Sequence, residues 1–306
     1  MSDYICIDIG GTSIKHGIYQ EKNLNFSVSG EVPTHAALGG PHILETLISL
    51  TKQYKKEYFT ENHSPAGICI STAGMVDCQK GMITYSAPLI PNYTGTRIKE
   101  ILENTFLLPC EVENDVNCAG LAEAYHGAAR NTHSSLCLTI GTGIGGCLIL
   151  NNQVLHGFSG SGCEVGYMHL PGGDFQNLGA ASILIKKVQN ACPDLSWDGK
   201  KIFEAAKKGN PVCIRAIDEM IDVLGMGMSN ICYVVNPEIV VLGGGIMAQK
   251  EYLNGRIRTA LNHYLIPSVA SHTKLAFAEN GNHAGMLGAY YHFKPVSYTH
   301  LTLPTT

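Results

Sequence analysis

Several features that mark particular classes of protein are missing from this chain of 306 residues. Basic residues are not in excess, since the net charge is −4, and this excludes the positive field that nucleic acids or anionic lipid surfaces attract. No uncharged apolar run is long enough to span a membrane. The opening residues lack the basic segment of a signal peptide, so we expect a cytoplasmic protein without membrane or nucleic-acid partners.

Metal-binding patterns are also missing, although the chain has eleven cysteines and thirteen histidines. No Cys-x-x-Cys pair occurs, and the histidines are scattered without ligand spacing. The cysteine count is odd, and most cysteines sit in apolar patterns, as Cys6, Cys69, Cys137 and Cys232 do. We therefore expect reduced core thiols and no structural zinc.

The chain contains no low-complexity linker, and its length suggests about two domains. Strand and helix patterns alternate in a way that predicts two similar α/β lobes. We assign residues 1–119 to the first lobe and residues 120–283 to the second, with a C-terminal helix at about 284–294 packing back on the first. Residues 295–306 are threonine-rich and aperiodic, and we expect a disordered or non-native tail there.

Two segments, Asp8–Lys15 and Thr139–Gly146, share an apolar run, a turn of glycine and threonine, and a second apolar run. The alternation after Gly11 predicts a strand, whereas a Walker loop or a dinucleotide fingerprint would open a helix. Glycine turns of this kind let backbone N–H groups approach phosphate oxygens. A hairpin without a ligand is the alternative for either turn alone, and the presence of two disfavours it.

These turns predict a nucleotide site. A carboxylate just before the first turn could hold hydrated Mg²⁺ beside the phosphates. The candidate ATP-binding residues are Asp8, which is also the magnesium candidate, and Gly10, Gly11, Thr12, Lys15, Gly141, Thr142, Gly143 and Gly145.

The catalytic candidate is the motif Glu113-Asn114-Asp115-Val116-Asn117. A strand at 110–113 and a helix at 116–126 would place Asn114 and Asp115 at the carboxyl end of a strand, where ligands bind. Phosphoryl transfer needs one carboxylate to orient the acceptor hydroxyl and take its proton, and we assign Asp115 to that role. The alternative, compatible with it, is that Asp115 only caps the helix. The amide of Asn114 suits sugar hydroxyls.

Together these motifs, with Ser71-Thr72-Ala73-Gly74 and Gly162–Met168, resemble the ROK family of sugar kinases and sugar-responsive repressors. The resemblance implies an actin-like ATPase (ribonuclease H-like) fold, with ATP bound in a cleft between two lobes. It also implies transfer of the γ-phosphate to a hexose hydroxyl, usually the 6-position, and a homodimer. The residues that it adds are Gly243, Gly244 and Gly245 near the adenosine, and Gly74, Glu164 and Tyr167 at the sugar beside Asn114 and Asp115.

Two departures from the family pattern narrow this expectation. Tyr167 stands where many members have a histidine, and the cysteines of the zinc loop that follows are missing. Gly179 stands where the family tends to have a glutamate that touches the sugar, which would leave room for a larger substituent. The pattern resembles β-glucoside kinases most, with N-acetylmannosamine kinase or glucokinase as alternatives. Glu164 could instead be a partly buried carboxylate bonded to backbone amides.

A regulator that binds sugar without catalysis is the alternative from another class. Repressors that resemble this chain carry a helix-turn-helix region ahead of the core. Here the first glycine turn follows within a few residues of Met1, so we expect no such region.

Overall fold

The structure, a computed structural model, describes residues 2–60, 63–86 and 90–301, with side chains as far as Lys294. The chain divides into two compact units. The first contains Met1–Tyr125, His156–Gly162 and Asn280–Thr306, and the second contains His126–Leu155 and Cys163–Glu279. The last helix includes the backbone of residues 295–301, where the sequence predicts a disordered or non-native tail, and residues 302–306 of that tail lie outside the described residues.

The elements between Asp3 and His126 combine strands with helices. They are β1 (Asp3–Ile9), β2 (Ser13–Gln20), β3 (Asn25–Pro33), α1 (Gly39–Tyr58), β4 (Gly67–Thr72), β5 (Met75–Asp77), β6 (Met82–Tyr85), α2 (Ile98–Phe106), β7 (Cys110–Asn114) and α3 (Asp115–His126).

The remaining elements begin with a second hairpin and end with a long helix. They are β8 (Ser134–Ile140), β9 (Ile144–Leu150), β10 (Gln153–Val154), β11 (His169–Leu170), β12 (Gly173–Asp174), α4 (Phe175–Gly179), α5 (Ala181–Ala191), α6 (Gly199–Lys207), α7 (Pro211–Val235), β13 (Ile239–Gly243), α8 (Lys250–Tyr264), α9 (Pro267–Ala270), β14 (Lys274–Phe277) and α10 (Ala284–Leu301). Short 3₁₀ turns lie at Ala36–Leu38, Val165–Tyr167, Gly245–Gln249 and Gly281–His283.

The first unit is built on a five-stranded sheet in the order β3-β2-β1-β4-β7. β1 pairs antiparallel with β2 and parallel with β4, and β4 pairs parallel with β7. Every residue of β4 is buried, as expected for a central parallel strand covered on both faces. The edge strand β3 alternates between exposed and partly buried residues, which is the period of a strand with one covered face.

Helix α10 covers one face of this first sheet, although it comes from the end of the chain. Tyr4 of β1 meets Tyr290 and Phe293 edge to face, with ring centroids 5.1 and 5.4 Å apart. A Cβ at Gly67 of β4 would lie 2.3 Å from the Phe293 ring, so only glycine allows this close approach. On the other face, α1 and α2 bury residues such as Leu47 and Leu102.

The second unit repeats the same strand pattern in the order β10-β9-β8-β13-β14. Again a hairpin, β8 with β9, comes first, and the following strands β13 and β14 join in parallel. Its core packs this sheet against α7 and its neighbours, through residues such as Leu224 and Met228. Asp198 caps the start of α6, since its carboxylate accepts the N–H of Lys201 at 2.8 Å.

The prediction of two similar α/β lobes is therefore confirmed at the level of strand order. In the described part of the chain, no helix is both long enough and apolar enough to cross a membrane. The cysteines that lie within strands and long helices are buried.

Candidate active site

The first glycine turn is a hairpin between β1 and β2. Ile9 pairs with Ile14, and the N–H of Gly10 donates to the carbonyl of Ser13 at 3.0 Å. The prediction of a strand after Gly11, and not a helix, is confirmed. Gly11 is exposed, and a Cβ there would meet nothing within 4 Å, so its backbone is open to a ligand.

Asp8 lies directly before this turn. Its Oδ1 accepts the hydroxyl of Ser71 at 2.6 Å, and a Cβ at Gly285 would lie 2.3 Å from its Cγ. Burial raises the pKa of Asp8, while the hydrogen bond from Ser71 and the charge of Lys15 lower it in part. A carboxylate oxygen is the ligand type that Mg²⁺ prefers, so Asp8 has the chemistry that the predicted role needs.

The second glycine turn is a hairpin between β8 and β9. Ile140 pairs with Ile144, and the N–H of Gly141 donates to the carbonyl of Gly143 at 2.9 Å. Ser182 fixes the turn, because its hydroxyl donates to the carbonyl of Thr142 at 2.6 Å. Gly145 differs from the turn residues, since it lies within β9 and pairs with Thr139.

The three glycines 243–245 adjoin this second turn. Gly243 pairs with Thr139 at the end of β13. Gly244 has φ +101°, and a Cβ there would lie 2.2 Å from the carbonyl oxygen of Ile140. The candidate nucleotide residues of the second unit therefore come together at one end of its sheet.

Asn114 ends β7 and Asp115 begins α3, and both are half-buried. The Oδ1 of Asn114 accepts the N–H groups of Val116 and Asn117 at 2.9 and 3.1 Å, so Asn114 caps the helix. Asp115 Oδ1 accepts the N–H of Val116 at 3.0 Å and the amide of Asn114 at 3.1 Å. Asp115 is thus held in one orientation at the start of α3, and its suggested capping role is shared with Asn114.

The side-chain amide of Asn114 is fully engaged. It donates to the carbonyl of Gly74 at 2.9 Å as well as to Asp115, and its oxygen already accepts two N–H groups. Gly74 has φ +98°, a conformation that favours glycine. Because an amide has two donors and one acceptor oxygen, direct contact between Asn114 and a sugar would displace a bond. The geometry therefore favours a role for Asn114 in positioning Asp115.

Register places the first-unit candidates along one edge of the sheet. Asp8 of β1 is level with Ser71 of β4, and Thr72 of β4 is level with Asn114 of β7. These are the carboxyl ends of three neighbouring parallel strands, the position at which α/β sheets bind ligands.

Glu164 directly precedes the 3₁₀ turn at Val165–Tyr167 of the second unit, Tyr167 ends it, and both residues are exposed. Burial nonetheless raises the pKa of Glu164, as expected for the alternative of a partly buried carboxylate. Gly179 is buried, and a Cβ there would lie 2.9 Å from Val223 and 3.3 Å from Ile144. Packing thus accounts for the glycine, and the expected room for a sugar substituent does not follow from it.

The structure brings Glu113 of the catalytic motif together with His156 and His292 in the first unit, a cluster that the sequence pattern does not indicate. Glu113 is buried, and its Oε2 lies 2.6 Å from Nε2 of His156 and 3.3 Å from Nδ1 of His292. Burial alone would raise the pKa of Glu113, but the hydrogen bond from His156 and the charges of both histidines lower it to about 2. A glutamate at a buried strand end was the only sequence signal for this cluster.

Comparison with known proteins identifies relatives along almost the whole chain. The ROK family model matches residues 4–295. An uncharacterized protein of Clostridium perfringens is 47% identical over 96% of this chain and 98% of its own length. A β-glucoside kinase of Klebsiella pneumoniae is 31% identical over 94% of each chain.

Solved structures agree with these relatives. A ROK family glucokinase from Streptomyces griseus, in complex with glucose and AMPPNP, has a TM-score of 0.80 and 25% identity. The match covers 94% of this chain and 97% of that one.

Proposed function

Since this chain belongs to the ROK family, we propose that it is an ATP-dependent sugar kinase. It transfers the γ-phosphate of ATP to a hydroxyl of a hexose or a β-glucoside, at the 6-position. The relatives named above as kinases, one of them solved with glucose and an ATP analogue, support this class of reaction. The fold is the actin-like ATPase fold that the family resemblance implies.

The observation that carries the proposal is the setting of Asp115. Its carboxylate is half-buried at the carboxyl end of β7, on the sheet edge that also holds Asp8. The N–H of Val116 and the amide of Asn114 fix its orientation without neutralising its charge. A carboxylate held in this way can orient an alcohol and accept its proton.

In the proposed reaction the sugar oxygen attacks the γ-phosphorus as the bond to the ADP oxygen breaks, and the alcohol proton passes to Asp115. Gly74, Glu164 and Tyr167 are the further sugar contacts that we propose. Asn114 acts through Asp115, which it holds. Little covalent chemistry is required of the protein, because orientation and charge stabilisation account for most of the catalysis of phosphoryl transfer.

For the nucleotide, we propose that the two glycine turns present N–H groups to the phosphates and that the segment 243–245 adjoins the adenosine. Asp8 would hold Mg²⁺ through water, and the ion would offset phosphate charge. Asp8 fits that role because its carboxylate lies directly before the first turn and is held by Ser71.

For the substrate, we propose a β-glucoside or glucose. The support is the similarity to a β-glucoside kinase at 31% identity and to a glucokinase structure at 25% identity. A homodimer in the cytoplasm is part of the same proposal and rests on the family resemblance.

A coupled assay of ADP release tests the function. Purified protein is supplied with ATP and Mg²⁺, and with glucose, N-acetylmannosamine, cellobiose or an aryl β-glucoside in turn. We expect ADP release that depends on one or more of the sugars and a matching sugar phosphate. Sugar binding without ADP release would identify a sugar-responsive regulator and overturn the proposal.

A further inference from the structure

Three side chains with metal-binding atoms meet in the first unit, beside the start of α3. They are Cys78, which follows β5, Glu113 at the end of β7, and His156, which begins the segment 156–162. Their ligand atoms all lie within 4.8 Å of one another. The Sγ of Cys78 is 3.4 Å from Oε1 of Glu113 and 3.6 Å from Nε2 of His156.

These distances fit a tetrahedral ion. With bonds of about 2.0–2.3 Å to nitrogen, oxygen and sulfur, the ligand atoms of a tetrahedral zinc lie roughly 3.3–3.6 Å apart. The Nε2 of His156 and Oε2 of Glu113 are closer, at 2.6 Å, because a hydrogen bond joins them. An ion would replace this hydrogen bond, and a small rotation of the imidazole would give the wider spacing.

The carboxylate of Glu113 is held in place by hydrogen bonds from neighbouring residues, as metal-binding carboxylates usually are. Its Oε1 accepts the N–H of Asn114 at 2.8 Å and the amide of Asn117 at 3.0 Å. The side chain of Glu113 is 1% exposed, so its direction is set by the protein and not by solvent.

His292 of α10 supplies an independent observation. Its Nδ1 lies 3.3 Å from Oε2 of Glu113, and its side chain is 11% exposed. Among the described residues, its buried Nε2 has no hydrogen-bond partner. A buried imidazole nitrogen without a partner is unfavourable, and His292 is therefore a nearby side chain with an unused ligand atom.

We propose that Cys78, Glu113 and His156 form a binding site for a divalent transition-metal ion of the zinc class, with His292 or water as the fourth ligand. The ion ties the segment 156–162 to the strand end that carries Asn114 and Asp115. Its role is structural, because it holds together three separate segments of the chain, and it differs from the expectation of no structural zinc that the sequence gives. The proposal stands on these contacts alone and does not depend on the kinase activity.

Binding of the metal ion releases protons from its ligands. The thiol of Cys78 gives its proton to the buffer and binds as thiolate, and His156 binds through a neutral Nε2, so a proton that Nε2 carries also leaves. Glu113 binds as the carboxylate. No change in oxidation state occurs, so no oxidant or reductant is required.

Cobalt(II) titration of the chelator-treated protein tests the site, because a cobalt–thiolate bond gives a near-ultraviolet charge-transfer band and tetrahedral cobalt gives strong visible bands. We expect one equivalent to bind, zinc to displace it, and zinc to raise the melting temperature. Cys78→Ser should abolish the charge-transfer band, and His156→Gln should weaken binding at least tenfold.

Matched controls come from the same residue types elsewhere. Cys192→Ser changes a partly exposed cysteine, and His169→Gln changes an exposed histidine, so both variants should bind cobalt as the parent does. Circular dichroism confirms that each variant is folded. Failure of the folded parent to bind an equivalent, or persistence of the band in Cys78→Ser, would overturn the proposal and leave Glu113 and His156 as a hydrogen-bonded pair.

Discussion

Asp8 is a candidate magnesium ligand, and its burial disfavours the ionised form of its carboxyl group. Burial is the largest influence on its pKa and raises it, so the folded state favours the protonated carboxyl relative to the unfolded chain. For an acid with a raised folded pKa, the stabilisation is present below the unfolded pKa and is lost as the pH rises through the folded pKa. Above its unfolded pKa, Asp8 therefore destabilises the fold.

Asp8→Asn should stabilise the protein and abolish its catalysis. Asparagine has nearly the same shape and can still accept the hydroxyl of Ser71, but it carries no charge to bury. We expect the free energy of unfolding at pH 7 to rise in a denaturant titration, and its fall from pH 4 towards 7 to become smaller. Activity should be lost at every magnesium concentration. A destabilised variant that keeps full turnover would contradict this role of Asp8.

Asn114 is a second residue whose role the contacts define more closely than the sequence does. Asn114→Ala removes the cap of α3 and the amide that holds Asp115, so we expect a loss of about 1 kcal/mol in stability and a fall in kcat. The measurements are denaturant unfolding and steady-state kinetics.

Asn210 provides the matched control for this prediction. Its Oδ1 accepts the N–H groups of Val212 and Cys213 at 3.0 and 3.1 Å, which is the same capping geometry at the start of α7. Asn210→Ala should therefore cost similar stability and leave kcat unchanged. An equal loss of kcat in both variants would show that Asn114 acts through stability alone.

At the scale of elements, close helix packing depends on single glycines. A Cβ at Gly288 of α10 would lie 1.8 Å from the carbonyl oxygen of Cys118 in α3, so the two helices could not keep their separation. We expect Gly288→Ala to lower the free energy of unfolding by about 2 kcal/mol or more, through overpacking.

Gly255→Ala is the control, since it makes the same change in a helix with open space around the residue. It should stabilise the protein by up to about 1 kcal/mol, because alanine is the better helix former. The comparison is made by thermal and denaturant unfolding. Equal effects of the two substitutions would contradict the packing that the structure shows.

Elements with a clear pattern could be predicted from the sequence. The apolar run at β4 is typical of a buried strand and the apolar spacing along α7 is typical of a helix, and the structure contains both. The end of α10 could not be predicted in this way, because the threonine-rich sequence there has no helical period. The edge strand β3 was also poorly marked, since its half-exposed residues carry little apolar pattern.

At the scale of the whole chain, the sequence predicted the repeated architecture because each unit opens with the same glycine turn. The two sheets share one strand order, and both turns are hairpins. The cluster around Glu113 could not be predicted, because its members are far apart in the sequence. His156 follows β10 of the second unit but contacts Glu113 in the first. The local sequence pattern does not indicate that the chain returns to the first unit at this point.

The central claim is that Asp115 receives the proton of a sugar hydroxyl during phosphoryl transfer, and Asp115→Asn tests it most directly. Rapid-quench measurement of sugar phosphate formation is combined with calorimetric sugar affinity, and Asp194→Asn, at an exposed aspartate, serves as the control. We predict that kcat falls by about a hundredfold or more while sugar affinity changes much less. A folded Asp115→Asn variant with nearly parental kcat would contradict the account.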